Sequence, residues 1–554
     1  MALRRGHAGV RRGIALTPLR GASAPGSLAA GILVAAALAT TALVWRHADF
    51  VPIWDGRIYA DCVIDAASRP FALEALRCAE HPSHAYVGVL AALQRLDPGN
   101  GALLIGANFL LFALASLAFH RLLGRLFSGE GQAPERALLT FGFAVQPAFV
   151  ASIIQPGLDF GVLVFFVIAL WAAVEDRLVA LGIAGIFLCF SKESGVLVYA
   201  MLAGALAVVH LARAGGSPVR TMARLAPLIA PPVLFVAYLW WRSLDPSRAV
   251  LWNGSEQHGL LSQFVSLRLD SFLASYAALM FVVSFGWVMS VVVAADLLEG
   301  ARRSLRRLAS RPMADANPEG VLLCSLLLAG CGYVLSRYTT YSNLRYFLPV
   351  YALLPIAFYA ALLRFQWSVP ARRAILTVVG VLLLASNVRT LDPVSRAIFG
   401  TFDAGGSRML RITSLSGECC GFGRDQLVYN LQFAGLHDAQ NAVLRDNPVG
   451  AGATYSMDPF ADWHVWSQVD AATGRRTLRR RNSVIPREVN AGYLRQDTPP
   501  DRVIYLDFPN VDDAAALAFL ARFYDVSPAT RSAARGVAID VRHLRLRPTE
   551  PRSP

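Results

Sequence analysis

Residues 156–174 read PGLDFGVLVFFVIALWAAV, and Asp159 is the one charged residue among them. An α-helix needs about 20 predominantly apolar residues to cross the hydrocarbon core of a bilayer. The length and composition of this stretch therefore predict a helix within a membrane. Its charge, close to one end, predicts a group that faces a cavity or a partner, because a charge at mid-bilayer costs roughly 3 kcal/mol.

Similar apolar runs occur on both sides of this stretch. They lie at 28–45, 101–119, 137–154, 178–191, 194–212, 225–241, 271–297, 319–336, 346–363 and 374–391. The whole chain is 55% hydrophobic and 16% charged, with a mean hydropathy of +0.45, whereas soluble proteins are about 25% charged. The sequence thus excludes an ordinary soluble enzyme and a disordered scaffold, and it predicts an α-helical polytopic membrane protein with about 11 transmembrane helices.

The apolar pattern ends near residue 391, and a different composition follows. Between 392 and 554 we predict helices at 425–435, 438–446 and 510–524, with strands at 463–469, 503–506 and 536–546. Helices interleaved with strands indicate a small soluble α/β domain. The predicted domains are an Arg-rich N-terminus (1–27), a transmembrane domain (28–391) with a long first loop (46–100), and a soluble C-terminal domain (392–554).

The arginines predict the orientation. Residues 1–391 carry a net charge of +12 and residues 392–554 a net charge of +2. Basic residues near membrane helices mark cytoplasmic loops, so we assign them to the cytoplasm rather than to a nucleic-acid surface. Beyond the N-terminus, the cytoplasmic loops contain Arg121, Arg125, Arg136, Arg177, Arg213, Arg220, Arg224, Arg302, Arg303, Arg306, Arg307, Arg311, Arg364, Arg372 and Arg373. The N-terminus is then cytoplasmic, with 28–45 as an uncleaved signal-anchor, and an odd number of spans places residues 46–100 and 392–554 in the periplasm of a bacterial inner membrane.

The seven cysteines divide by location. Three lie in predicted spans and are expected to pack as small apolar residues. They are Cys189, Cys324 and Cys331. Cys62, Cys78, Cys419 and Cys420 lie on the predicted oxidising side, where disulfides persist. A Cys62–Cys78 bridge is one possible pairing, but spacing alone leaves the connectivity open.

Lys192 stands out because it is the only lysine beside 51 arginines. An ammonium is a compact point charge that can contact a single phosphate oxygen in a crowded corner, which a planar guanidinium does less well. Lys192 follows one predicted span and precedes Glu193. The alternative is a lysine that snorkels to the membrane surface and pairs with Glu193.

Four short motifs occur in a fixed order on the predicted outer face. They are WDGRIY at 54–59, QPGLDF at 155–160, SKESG at 191–195 and LRYFLP at 344–349. Their order and spacing, across residues 28–391, resemble the GT-C class of membrane glycosyltransferases, in the branch that includes protein O-mannosyltransferases and lipid A aminoarabinose transferases. The resemblance implies transfer of a sugar from a polyprenyl-phosphate-linked donor to a lipid, glycan or protein acceptor at the periplasmic face.

The resemblance also implies roles for individual residues. Asp55 and Asp159 match the family's catalytic acids, and Lys192, Arg345 and Arg337 would bind the donor phosphate. Supporting roles fall to Glu193, Tyr59 and Tyr346. Gly56 stands where many relatives have a second acid, which weakens the case for a two-carboxylate metal site. No metal ligands are assigned, and the sequence leaves a divalent cofactor open.

Each assignment has a structural alternative. Asp55 and Asp159 could cap helices, the arginines could anchor at the interface, and Trp54, Tyr59 and Tyr346 could belong to an aromatic belt. A transporter or a flippase of lipid-linked sugars is the alternative function, although transporters tend to show internal repeats and charges near the bilayer midplane. A third alternative is a non-catalytic subunit of an envelope-polymer assembly. Under that alternative, Asp55, Lys192 and Arg345 would have no common function.

The predicted topology can be measured with reporter fusions. Alkaline phosphatase, which folds only outside the cytoplasm, should be active when fused after residue 391 and inactive when fused after residue 311. The physical reason is the concentration of arginines in the predicted cytoplasmic loops. Activity at residue 311 together with inactivity at 391 would invert the topology and contradict the functional scheme.

Overall fold

The structure is a computed structural model. It describes residues 26–48, 52, 54–70, 73–78, 81–129, 131–213, 226–244, 281–282, 284–305, 316–338, 344–389 and 391–399. In the C-terminal part it describes 401–404, 407–410, 453–456, 465–469, 476–480, 502–507, 517–518, 521–534 and 537–547.

Each predicted apolar run overlaps a described helix. The helices are α1 (Ser27–Trp45), α2 (Trp54–Ser68), α3 (His84–Gln94), α4 (Gly101–Leu126), α5 (Ala133–Ala144), α6 (Pro147–Ile154), α7 (Leu158–Val174), α8 (Leu178–Cys189), α9 (Glu193–Arg213), α10 (Ala230–Ser243), α11 (Gly286–Leu305), α12 (Pro318–Tyr338), α13 (Leu348–Arg364), α14 (Val369–Ser386) and α15 (Pro393–Phe399). Short 3-10 turns at Leu73–Leu76, Ala226–Ile229 and Leu344–Phe347 add to these. The predicted run at 271–297 is matched only in its second half, since 271–280 and 283 lie outside the described residues.

Membrane-spanning helices are confirmed. Among the described residues, five helices are long and apolar enough to cross a membrane, or six if α5 and α6 form one span bent by 49°. The bend falls where Pro147 starts α6, since proline has no N–H to continue the preceding helix. α7, α8 and most of α9 are apolar but shorter. A helix of 17 residues such as α7 is at the lower end of the usual spanning length.

α7 lies at the centre of the helical core. It is buried along nearly its whole length and packs against α4, α8, α9 and α13. α3 also reaches this core, because a Cβ at Gly161 would lie 2.9 Å from Tyr86 Cβ. The Tyr86 hydroxyl donates to Asn108 Oδ1 at 2.7 Å. The first loop is therefore partly helical, and part of it packs into the bundle.

The C-terminal part contains nine described strands. They are β1 (Thr401–Ala404), β2 (Ser407–Leu410), β3 (Ala453–Ser456), β4 (Val465–Val469), β5 (Arg476–Arg480), β6 (Arg502–Asp507), β7 (Tyr524–Val526), β8 (Thr530–Ala534) and β9 (Val537–Leu546). The five-stranded sheet has the order β3-β6-β9-β7, with β8 also pairing with β9. β3 and β6 are parallel and the other pairs of this sheet are antiparallel.

Three predicted strands are present as β4, β6 and β9. The predicted helices 425–435 and 438–446 lie outside the described residues. Of the predicted helix 510–524, Leu517 and Ala518 are helical, whereas Tyr524 opens β7 instead of ending a helix. β7 pairs with β9 at that end, so Tyr524 belongs to a strand and not to the predicted helix.

The cysteines follow the predicted division. Cys62 and Cys78 form a disulfide with a Cα–Cα distance of 5.6 Å, within the normal range. Cys189, Cys324 and Cys331 are free and buried. Cys419 and Cys420 lie outside the described residues.

The corner between α8 and α9 has no room for a side chain at Gly195. A Cβ at this position would lie 2.0 Å from the Leu188 carbonyl oxygen, which is backbone and cannot rotate away. Gly195 N also donates to the Lys192 carbonyl oxygen at 2.9 Å. The glycine therefore sets the angle at which α9 leaves the Lys192 turn.

Gly195→Ala should lower the free energy of unfolding by about 1–3 kcal/mol, the usual effect of overpacking. Gly204→Ala is the matched control on the same helix, since nothing lies within 4 Å of its added Cβ. That control should be neutral or stabilising by up to about 1 kcal/mol, because alanine favours helix. Denaturant titration of both variants in detergent measures the difference. Equal stabilities would show that the corner tolerates a side chain.

Candidate functional site

Asp159 is held at the start of α7 by the sequence before it. Pro147–Ile154 forms α6, Gln155 and Gly157 are extended, and α7 begins at Leu158. Asp159 lies in the first turn, where the positive end of the helix dipole favours a carboxylate. Gly157 occupies the N-cap position of α7. Asp159 is therefore not the N-cap residue, contrary to the alternative considered from sequence. Its carboxylate faces cations instead.

Lys192 lies in the turn between α8 and α9 and reaches this carboxylate. Its Nζ is 2.9 Å from both Asp159 Oδ1 and Asp159 Oδ2. The side chain is buried, so it does not snorkel. The carboxylate partner of Lys192 is Asp159 rather than the neighbouring Glu193, contrary to the alternative considered from sequence.

Arg345 and Tyr346 bring a third element to the same place. They lie in the 3-10 turn Leu344–Phe347 that precedes α13. Arg345 Nε is 3.4 Å from Asp159 Oδ2. The Tyr346 ring centroid lies 4.2 Å from Lys192 Nζ and 5.6 Å from Arg345 Cζ, within cation–π range. We call Asp159, Lys192, Arg345 and Tyr346 the cation cluster.

The cation cluster is withdrawn from solvent. Lys192 is 1%, Asp159 3% and Arg345 8% exposed. Burial and the nearby Arg345 charge lower the pKa of the Lys192 ammonium, but the charge of the Asp159 carboxylate, with a smaller electrostatic contribution from Tyr346, raises it by more, so the net shift of this pKa is upward. Lys192 therefore stays protonated at neutral pH. Two basic side chains and one acidic side chain meet here, a combination that suits the binding of an anion.

Glu193 pairs with a residue of the first loop. Its Oε1 and Oε2 lie 3.1 Å and 2.9 Å from His81 Nδ1. A carboxylate only accepts, so Nδ1 carries the proton of this hydrogen bond. Lys192 and Glu193 are consecutive residues of one corner, but they contact different elements. Lys192 contacts the start of α7, and Glu193 contacts the first loop. His81 was not predicted, because its partner is 112 positions away and no local motif marks it.

Asp55 is placed by its backbone alone. It is the second residue of α2, and its side chain lies outside the described part of the structure. Its neighbour Gly56 is buried against Gln155, since a Cβ there would lie 2.6 Å from Gln155 Cδ. α2 therefore begins beside the segment that leads into Asp159.

The remaining predicted residues occupy different settings. Tyr59 is buried within the core, which argues against a place in a lipid-facing aromatic belt. Arg337 is half-buried in the last turn of α12, and its role in phosphate binding stays a prediction. Among the described residues, no group of three or more His, Cys, Asp or Glu side chains could hold a metal ion.

The arrangement defines a class of protein: a multi-pass helical membrane protein of the GT-C fold with buried charges at the ends of its short helices. Two solved structures with this fold are of ArnT from Cupriavidus metallidurans, an aminoarabinose transferase of the GT-C class. In the apo state its TM-score is 0.52 at 13% identity, covering 93% of this chain and 98% of that one. In the structure bound to undecaprenyl phosphate, the TM-score is 0.50 at 13% identity, with 92% and 98% covered. No family model matches the sequence, and no curated protein matches it significantly.

The coupling of Asp159 to Lys192 predicts a specific pattern of stabilities. Asp159→Leu leaves the Lys192 ammonium buried without this carboxylate and should destabilise the protein by about 3–5 kcal/mol. Lys192→Met in the same chain removes that charge and should restore much of the loss. Unfolding titrations of the two single variants and the double variant give the coupling energy. Additive losses would mean that the two side chains stabilise the fold independently.

Proposed function

We propose that this protein transfers a sugar from a polyprenyl-phosphate-linked donor to an acceptor at the periplasmic face of the inner membrane. The observation that carries the proposal is the cation cluster, in which Lys192 and Arg345 converge on Asp159 beside the Tyr346 ring. Phosphate is the anion that such a pair of donors suits. The fold shared with ArnT, which has been solved bound to undecaprenyl phosphate, supports a lipid-linked phosphate.

The charge change of the reaction fits two cations. The donor is a phosphodiester with one negative charge, and the departing polyprenyl phosphate is a monoester with about −1.5 to −2 at neutral pH. Negative charge therefore grows on the phosphate as its bond to the sugar breaks. Buried cations placed there stabilise the transition state more than the bound donor. Lys192 contributes a point charge and Arg345 a planar fork of donors.

Asp159 fits a positioning role within this scheme. Both of its oxygens already accept from Lys192 Nζ, and Arg345 approaches one of them. Such a carboxylate orients the two cations and offsets the cost of burying them. The sequence predicts a catalytic Asp159. The role proposed here is more specific, because Asp159 acts through Lys192 and Arg345.

Asp55 is the proposed base. The acceptor oxygen attacks the anomeric carbon of the sugar, the bond from that carbon to the phosphate oxygen breaks, and its electrons stay on the phosphate. The acceptor's proton passes to Asp55. A partly desolvated carboxylate suits this step, and the contact of Gly56 with Gln155 supports a location of α2 beside the cation cluster.

Lys192→Arg should reduce turnover by about 10²-fold, the effect of losing one well-placed donor to a developing anion, because the wider guanidinium does not fit the corner that the ammonium occupies. Turnover is the release of undecaprenyl phosphate from lipid-linked sugars extracted from the host membrane, quantified by mass spectrometry. Arg125→Lys, at the far end of α4, is the matched control and should retain activity. Full activity of Lys192→Arg would reduce Lys192 to a generic cation.

Asp55→Asn should lower turnover by about 10²–10⁴-fold, the range for loss of a general base, while undecaprenyl phosphate binding changes little. Asparagine caps a helix about as well as aspartate, so a capping role predicts a mild loss. The measurement is turnover alongside undecaprenyl phosphate affinity on the purified variant. Near-normal turnover would remove Asp55 from catalysis. Unimpaired movement of lipid-linked sugar across vesicle membranes, with no transfer by the wild type, would favour a flippase.

A further inference from the structure

The first loop is attached to the Lys192 corner by contacts that the proposed reaction does not use. His81 Nδ1 pairs with both oxygens of Glu193. Close by along the chain, Ala85 N donates to the Phe190 carbonyl oxygen at 2.9 Å. The loop and the corner therefore share a side-chain contact and a backbone contact within a few residues of Lys192.

The same segment of the loop is bonded covalently to α2. Cys78 forms the disulfide with Cys62 of α2, and Cys78 and His81 form an isolated antiparallel bridge. His81 N donates to the Cys78 carbonyl oxygen at 2.9 Å. We call the Cys62–Cys78 disulfide, the Cys78–His81 bridge and the His81–Glu193 pair the loop strap. It runs from the helix that carries Asp55 to the residue that follows Lys192.

The His81–Glu193 pair is the part of the loop strap with a large energetic consequence. The Glu193 side chain is only 7% exposed and that of His81 25% exposed. Leaving a buried carboxylate without its hydrogen-bonded partner is strongly destabilising, so the pair resists separation. A contact to both oxygens also fixes the orientation of the imidazole ring, and with it the path of the loop at residue 81.

We propose that His81 is a positioning residue that holds the Asp55 end of α2 at a fixed distance from the cations that bind phosphate. The inference rests on the proposed function and adds that phosphate binding and sugar transfer depend on different parts of the protein. The cation cluster binds the lipid phosphate without help from the loop strap. The transfer step needs the strap, because base and leaving group must be aligned across one sugar, and a misplacement of about 1 Å can cost about 10²-fold in rate.

Two predicted consequences set this role apart from general stabilisation. His81→Ala lowers turnover by at least about 10-fold while leaving the affinity for undecaprenyl phosphate within about twofold. His81→Gln restores part of the turnover, since its amide N–H can still donate to Glu193. Reduction of the Cys62–Cys78 disulfide by a phosphine affects the same step, because it releases α2 from residue 78.

The control variant is His120→Gln. His120 is a partly buried histidine on α4 that pairs with Thr140 Oγ1 at 2.9 Å. It lies near Arg125, which contacts Glu175 at the other end of α7. A helix of 17 residues is about 25 Å long, so this histidine is remote from the cation cluster. The substitution should leave both turnover and lipid phosphate affinity unchanged.

The experiment compares wild type, His81→Ala, His81→Gln and His120→Gln in nanodiscs. It measures undecaprenyl phosphate affinity, turnover on extracted lipid-linked sugars, and hydrogen exchange of residues 54–68. We expect His81→Ala and the reduced wild type to lose turnover and to exchange faster across α2, with lipid phosphate affinity retained. Parallel loss of affinity and turnover, or unchanged turnover with unchanged exchange, would overturn the positioning role.

The hydrogen-exchange measurement separates this inference from the proposed function. A wild type that neither binds undecaprenyl phosphate nor turns over donor would refute the proposed function, and with it the division of labour between binding and transfer. Faster exchange of α2 in His81→Ala would then still establish the loop strap as a mechanical link. Active wild type with no change in α2 exchange would refute the strap alone.

Discussion

The burial of one ammonium group constrains much of the helical core. Lys192 Nζ can stay charged and buried only because Asp159 offers both oxygens at 2.9 Å and the Tyr346 ring covers it. These three residues come from the start of α7, the turn between α8 and α9, and the turn before α13. An uncompensated buried charge is strongly destabilising, so these elements must meet in one arrangement. Gly195 permits the close approach at the corner, because an added Cβ would lie 2.0 Å from the Leu188 carbonyl oxygen.

The charged residues of the cation cluster lie beside the ends of short helices. α7 and α8 have 17 and 12 residues, at and below the lower end of the usual spanning range. Asp159 lies in the first turn of α7 and Lys192 lies just after α8. Both residues are buried, so neighbouring elements must compensate their charges.

The other end of α7 presents a contrasting set of charges. Glu175 contacts Arg125 and Arg177, and both Arg121 and Arg177 lie over the Trp171 ring. These arginines belong to two loops that the sequence assigns to the same side of the membrane, and the structure brings them together. Arg121, Arg125 and Arg177 lie at the Glu175 end of α7, whereas the only lysine of the sequence lies at the Asp159 end. The chemistry of the two ends differs as the sequence suggests, although which end faces the cytoplasm stays a prediction.

The sequence by itself determined the helical membrane fold, because spanning length and apolar composition are local properties that 28–45 or 101–119 display without their neighbours. It also singled out Lys192, Asp159, Arg345 and Tyr346, through rarity and through motifs that resemble the GT-C class. It did not determine which carboxylate Lys192 would meet, since Glu193 is adjacent and Asp159 is 33 positions away. It gave no sign of His81. Partner choice among buried charges depends on distances between elements, and only the packing of α7, α8, α9 and α13 around one point decided them.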